Sequence, residues 1–172
     1  MIAALFVEKG GVYCGLPDVD PWTEERDART YPGPWPVVAH PPCAAWCRLA
    51  GLREFKWGLR RGEDDGCFES ALGAVRRFGG VLEHPAWSDA FPAFGLPTPT
   101  RAWQRTTDGA WVCALDQASY GHRAKKPTWL YAVGIDPPAM RWRRIQHTGV
   151  WVSDCHNHER GKVVKRLGKR ER

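Results

Sequence analysis

No stretch of this sequence approaches the roughly 18 consecutive apolar residues that a membrane helix needs. No basic leader precedes the apolar opening MIAALFVEKGG, so it does not read as a secretory signal. A cytoplasmic protein with no membrane partner is expected. There is no internal repeat and no break that marks a second folded domain. The six cysteines do not fall into the close doublets of zinc knuckles. In a reducing compartment they are expected as free thiols, ligands or catalysts rather than disulfides.

What is present suits one folded unit. The chain has 172 residues and 43% hydrophobic content, enough to bury a core and too much for general disorder. Lys and Arg number 25 against 19 Asp and Glu, a net charge of +6, which favours polyanionic partners. The cations gather at residues 53–61, 123–126, 141–144 and 160–172. Ten tryptophans accompany them. Tryptophan beside arginine suits stacking on nucleobases; the alternative is that these rings build the core of a proline-rich and glycine-rich fold.

IAALFV (2–7) reads as a short buried strand, closed by Gly10-Gly11. The polar stretch that follows holds at most one short helix around 23–28, with Thr23 as its N-cap. PVVA (36–39) is a second strand and runs straight into His40-Pro41-Pro42-Cys43. EDDGCFESALGAVRRFGG is the best helix. Cys67, Phe68, Ala71, Leu72, Val75 and Phe78 share one face, acids open it, Arg76-Arg77 close it and Gly79-Gly80 stop it. Cys67 is therefore expected in the core. GVLEHP follows as a strand, FPAFGLPTPTRAW as a loop, then GAWVCALDQ and PTWLYAVG as strands joined by a hairpin-like ASYGHRAKK. The expected fold is α/β: a single domain over 1–140 with a central, mostly parallel sheet, followed by a basic C-terminal arm over 141–172.

Open α/β sheets collect functional groups at the carboxyl ends of their strands. A thiol (Cys43), a carboxylate (Glu83) with His84 beside it, and the basic run ending at Lys126 all fall at such ends, the elements of an active site. Cys43 has three possible fates: nucleophile, buried thiol, or zinc ligand. A zinc site would join His40, Cys43 and Cys47 to Cys155, His156 or His158. The order His-x-Glu before Pro-Cys-x-x-Cys, which a zinc deaminase requires, is reversed here.

The set PPC, then LEHP, then QASYGHRAKKPTWLYAVG resembles the DNA cytosine-C5 methyltransferases. That family carries a Pro-Cys loop, a Glu-Asn-Val segment and a Tyr-Gly…Gln-x-Arg-x-Arg stretch. ALFVEKGGVY is similar to its cofactor loop, and the chain also resembles small phage-encoded proteins called DNA methylases. The resemblance implies a shortened methyltransferase-like Rossmann fold that modifies cytosine at C5 in DNA. Cys43 would attack C6 as covalent nucleophile, Glu83 would hold N3 and the exocyclic amine, and Arg123 would position the base or its phosphate. Pro42, His84, His122, Lys125 and Lys126 would meet the substrate. Phe6, Gly10, Gly11 and Asp20 would hold S-adenosylmethionine, with Asp18 and Asp27 as other candidates for a ribose contact. Only about thirty residues separate the first two expected strands, where the family places two further strand–helix units. The donor half is thus reduced, which leaves a reduced folate as alternative donor and a pyrimidine nucleotide as alternative substrate. A DNA-binding protein that keeps the fold without turnover is the reading from another class.

Overall fold

The computed structural model of the chain describes residues 1–47, 50–58 and 60–142, together with two short strands at Val150–Trp151 and Lys165–Arg166. Those two pair in parallel as a separate ribbon. Most of the expected arm over 141–172, including Cys155, His156 and His158, lies outside the described residues.

The main sheet has seven strands: β1 (Ile2–Leu5), β2 (Val19–Trp22), β3 (Val37–Ala39), β4 (Gly80–Pro85), β5 (Gln104–Arg105), β6 (Trp111–Asp116) and β7 (Pro127–Val133). Their spatial order is β2-β1-β3-β4-β7-β6-β5. The first four run parallel, while the pairs β4–β7, β7–β6 and β6–β5 are antiparallel. The expectation of a mostly parallel sheet is corrected to a mixed sheet, half of each kind. The cause is local. A parallel crossover needs a dozen or more residues, and the link between β6 and β7 is too short to hold one.

Three helices are described: α1 (Ala50–Trp57), α2 (Cys67–Phe78) and α3 (Ala90–Ala93). α2 forms where its pattern predicts it. Phe68, Ala71, Leu72 and Val75 are buried, Asp64 accepts from the Phe68 amide at 2.8 Å at its start, and Gly79 ends it at φ 78°. It packs on β3, β4 and β7, and the apolar core lies between them, with Leu5, Val37, Leu82, Tyr131 and Phe91. Gly80 is required by this packing. A Cβ there would stand 1.9 Å from the Val37 carbonyl oxygen of the neighbouring strand.

Four local expectations need correction. The single helix around 23–28 is two 3-10 turns, Glu24–Arg26 and Ala28–Thr30. Asp27, left-handed at φ 48°, interrupts them, and Thr23 gives no side-chain cap. Cys67 is half-buried on a cleft wall rather than in the core, because it is the first residue of its helix. Part of the expected 91–103 loop is the short helix α3. β2, with Asp20 and Pro21 in it, has no strand periodicity; it forms as an edge strand, where an internal proline is tolerated. Among the described residues no helix is long and apolar enough to cross a membrane.

Candidate active site

From β1 the chain goes to β2 on one side, then crosses to β3 on the other. The connections diverge between β1 and β3, and a ligand crevice is expected at their carboxyl ends. A cleft of about 670 Å³ lies there. Phe6 and Glu8 line it beyond β1, Thr23 beyond β2, Pro42 beyond β3, and Asp65 with Cys67 at the start of α2. Glu24 and Asp27 add two further carboxylates to the wall. Arg29, also in the lining, is held by Asp27 at 2.7 Å and by the Asp65 carbonyl at 3.1 Å. Phe6 sits at φ 59°, a strained setting for a bulky side chain and one that concentrates at ligand sites. Gly10 and Gly11 are on the loop after β1 but not in the lining. Asp20 is also outside it, its carboxylate taken by Trp22 at 2.8 Å and by Arg26. Asp27, one of the alternative ribose candidates, does reach the wall.

On the far side of Pro42 is a polar cluster centred on Glu83. Ala39 pairs with Leu82, so His40 falls one step on, beside Glu83. Alternation along β4 sends Leu82 and His84 toward α2 and Glu83 to the opposite face. There Glu83 Oε2 accepts from His40 Nδ1 at 3.0 Å. Oε1 accepts from Gln117 Nε2 at 2.9 Å and from the Thr128 hydroxyl at 3.3 Å, and pairs with Lys126 Nζ at 3.4 Å. The Glu83 side chain is only 13% exposed. Burial opposes its ionisation, but the His40 hydrogen bond and the Lys126 charge outweigh that and hold the carboxyl at about 2. Glu83 is therefore an anion that only accepts, and His40 carries its proton on Nδ1. Nε2 of the same ring lies 2.7 Å from the Tyr13 hydroxyl and accepts from it in the tautomer that donates from Nδ1.

Cys43 follows in the same loop as His40. Two prolines stiffen the approach. Trp46 anchors the exit: its indole donates to Asp64 at 2.7 Å, and its ring packs on Phe68 and Phe94. The amides of Trp46 and Cys47 both turn back to the Cys43 carbonyl, at 3.0 and 2.9 Å. Burial pushes the Cys43 thiol up, and the neighbouring Cys47 and Glu83 add to this, while Lys126 pulls the other way. In the free protein Cys43 is a thiol, not a thiolate.

His84 is fully buried, edge-on to Phe68 with ring centroids 5.2 Å apart. The Pro42 carbonyl lies near it without completing a hydrogen bond, so neither ring nitrogen has a partner. Burial holds it neutral, down to about 4. It underlies the site instead of facing substrate. Of the basic run, Lys126 reaches the cluster, Lys125 is half-buried and Arg123 is exposed. His122 is used within its own turn, where Nδ1 meets the Ala124 amide at 3.1 Å. Pro42 is exposed between cluster and cleft. No group of three or more metal-binding side chains occurs among the described residues. Both His40 nitrogens are already engaged, and the three C-terminal zinc candidates lie outside the described residues.

The structure thus brings together Cys43, Glu83 and Lys126 and leaves Arg123 at the rim. It adds Tyr13, His40 as a partner of Glu83, Gln117 and Thr128. Gln117 was findable, as the first residue of the quoted QASYGHR stretch. Tyr13 carried only a weak signal, a polar aromatic just after a glycine pair. Fold and site together define an α/β protein with a thiol, a buried carboxylate and a lysine beside a strand-end cleft. No family model, no curated protein and no solved structure matches the chain.

Proposed function

We propose that the chain modifies cytosine at C5 in DNA, with Cys43 as the covalent catalyst and S-adenosylmethionine as methyl donor, on a shortened Rossmann-like sheet. The observation that carries this reading is the meeting of Cys43, Glu83 and Lys126 at adjacent strand ends, with a cleft across Pro42. The cleft fits the donor in its chemistry. Glu8, Glu24 and Asp65, beside an Asp27 that Arg29 pairs, leave a net negative wall suited to a ligand that is cationic and rich in hydroxyls. S-adenosylmethionine bound there supplies a methyl group carried on positive sulfur.

The chain's own residues do the rest. C5 of cytosine is a poor nucleophile until a thiolate adds to C6. Cys43 performs that addition as the thiolate, a form that the Lys126 charge beside it favours. Glu83 accepts a hydrogen bond from the ring edge as charge develops there, the base displacing Lys126, whose bond is the longest of the four. Lys126, Lys125 and Arg123 then meet phosphate. A base inside a duplex is out of reach, so it is flipped out or presented in single-stranded DNA.

One observation favours a second reading, a DNA-binding protein without turnover: the Cys43 thiol is pushed up, not down. Nucleoside mass spectrometry on DNA from cells expressing the protein or its Cys43→Ser variant separates the two. A cytidine heavier by one methyl, absent in the variant, is expected. A hydroxymethyl instead moves the donor to a reduced folate. Unmodified nucleosides in both, with DNA binding retained, establish the binding protein.

A further inference from the structure

Tyr13, His40 and Glu83 are joined in series: hydroxyl to Nε2 at 2.7 Å, Nδ1 to carboxylate at 3.0 Å. The order is that of a hydroxyl, a base and the acid that orients the base. The three come from separate places: the turn after β1, the loop after β3, and β4 itself. Their separations along the chain, 27 and 43 residues, make a chance local contact an unsuitable explanation. The outer end of the series is the half-buried Tyr13 ring, 5.3 Å from the imidazole centroid. The inner end is the buried anion.

Resting on the cytosine reading, we infer that the Tyr13–His40 pair is the base that removes the C5 proton. The step is needed because addition of Cys43 to C6, followed by a new bond at C5, leaves C5 with one hydrogen too many. The Tyr13 oxygen takes that proton while passing its own to His40 Nε2. The C5–H electron pair re-forms the C5–C6 double bond, and the C6–S bond breaks to release the Cys43 thiolate. Glu83 stabilises the imidazolium that results, as the acid of a triad does. Burial raises Tyr13, and the Glu83 charge adds to this, so it stays a phenol and works by exchanging protons rather than as a standing phenolate. His40 gives its proton to water after release.

The same residues act when no donor is present. Cys43 adds to C6, C5 takes a proton from water, and the pair then removes either hydrogen. The net result is exchange of the C5 hydrogen with solvent. The test is release of tritium from DNA labelled at cytosine C5, single- and double-stranded, without any methyl or folate donor. Wild type is expected to release it and Cys43→Ser to release none. Tyr13→Phe and His40→Asn should each lose on the order of 10²-fold or more, the usual share of a general base. His40→Asn keeps a donor toward Glu83 but has no basic nitrogen. A second readout is covalent trapping on 5-fluorocytosine DNA with donor present, where fluorine blocks the elimination. Both variants should trap as wild type does, which also shows that they are folded. Wild-type exchange rates in Tyr13→Phe and His40→Asn overturn this inference and leave the cytosine reading standing. Failure of both variants to trap reduces the pair to a structural role and also overturns it. Absence of exchange and of trapping in wild type overturns both together.

Discussion

Among the described residues two carboxylates are held at about 2, and they stand at opposite ends of the sheet. Glu83 is at the carboxyl ends of the parallel strands. Asp108 precedes β6 at the other end, where burial opposes its ionisation and the Thr106 and Tyr131 hydroxyls and Arg76 outweigh it. Asp108 Oδ2 accepts from Tyr131 at 2.8 Å and from Arg76 Nη2 at 2.9 Å, and Oδ1 accepts from Thr106. Arg76 also donates to the Tyr131 hydroxyl at 3.2 Å. This group ties the last turn of α2 to β7 and to the turn before β6. A depressed carboxyl is thus not in itself the mark of a site. What differs is the company. Asp108 has a guanidinium and two hydroxyls that complete a staple, while Glu83 has a thiol, an amine and an imidazole at the edge of a cleft.

The variants that test this contrast differ in what they should change. Cys43→Ser removes the proposed nucleophile and should lower cytosine modification by on the order of 10³-fold or more. Thermal unfolding should hardly move, because the swap is nearly isosteric. A large stability loss with modification retained would place Cys43 in the packing instead.

Glu83→Gln should reduce both activity and stability. The Glu83 carboxyl is depressed from 4.5 to about 2, so the unfolded chain binds more protons between those values. Stability from this group is therefore complete above pH 4.5 and is lost as pH falls toward 2, roughly 3 kcal/mol in all. Denaturant titrations across that window should show the slope in wild type and a flatter line in Glu83→Gln.

His84→Leu acts in a different window. The folded ring is held at about 4 against 6.5 unfolded, so wild type loses stability as pH falls from 6.5 to 4. The variant should lose that dependence. It should also gain roughly 1 kcal/mol at neutral pH, since an unpaired polar ring leaves the core. No gain would mean that buried water satisfies the ring.

Asp108→Asn should have the smallest effect. Its side chain is 35% exposed, so solvent screens the pair with Arg76. A cost of roughly 1 kcal/mol is expected, with activity within twofold of wild type. A loss of activity comparable to that of Glu83→Gln would erase the distinction between staple and site.

α2 was legible because everything that makes it is within one stretch: acids at the start, an apolar face, arginines and Gly79 at the end. β1, β3, β4, β6 and β7 were legible from short apolar runs between turn residues, and the hairpin between the last two from its length. β2 was not, since Val19-Asp20-Pro21-Trp22 has no period. Its strand conformation comes from lying along β1, in register from Ile2 with Val19 to Leu5 with Trp22. Nor was α1, whose polar sequence follows the cysteine loop with no start signal.

The candidate site divides along the same line. That a thiol, a carboxylate and lysines gather near strand ends followed from local order alone, because each motif directly follows, ends or precedes its own strand. Which atoms meet did not. Gln117 and Thr128 reach Glu83 from 34 and 45 residues away, and Lys126 rather than Arg123 turns inward because β7 lies antiparallel beside β4. A residue's period and its neighbours in the chain set whether it is buried and in what element. Strand order and register set its partner, and these come from packing the whole sheet. That is why the α/β class can be read along the chain, while the Tyr13–His40–Glu83 series exists only in the folded molecule.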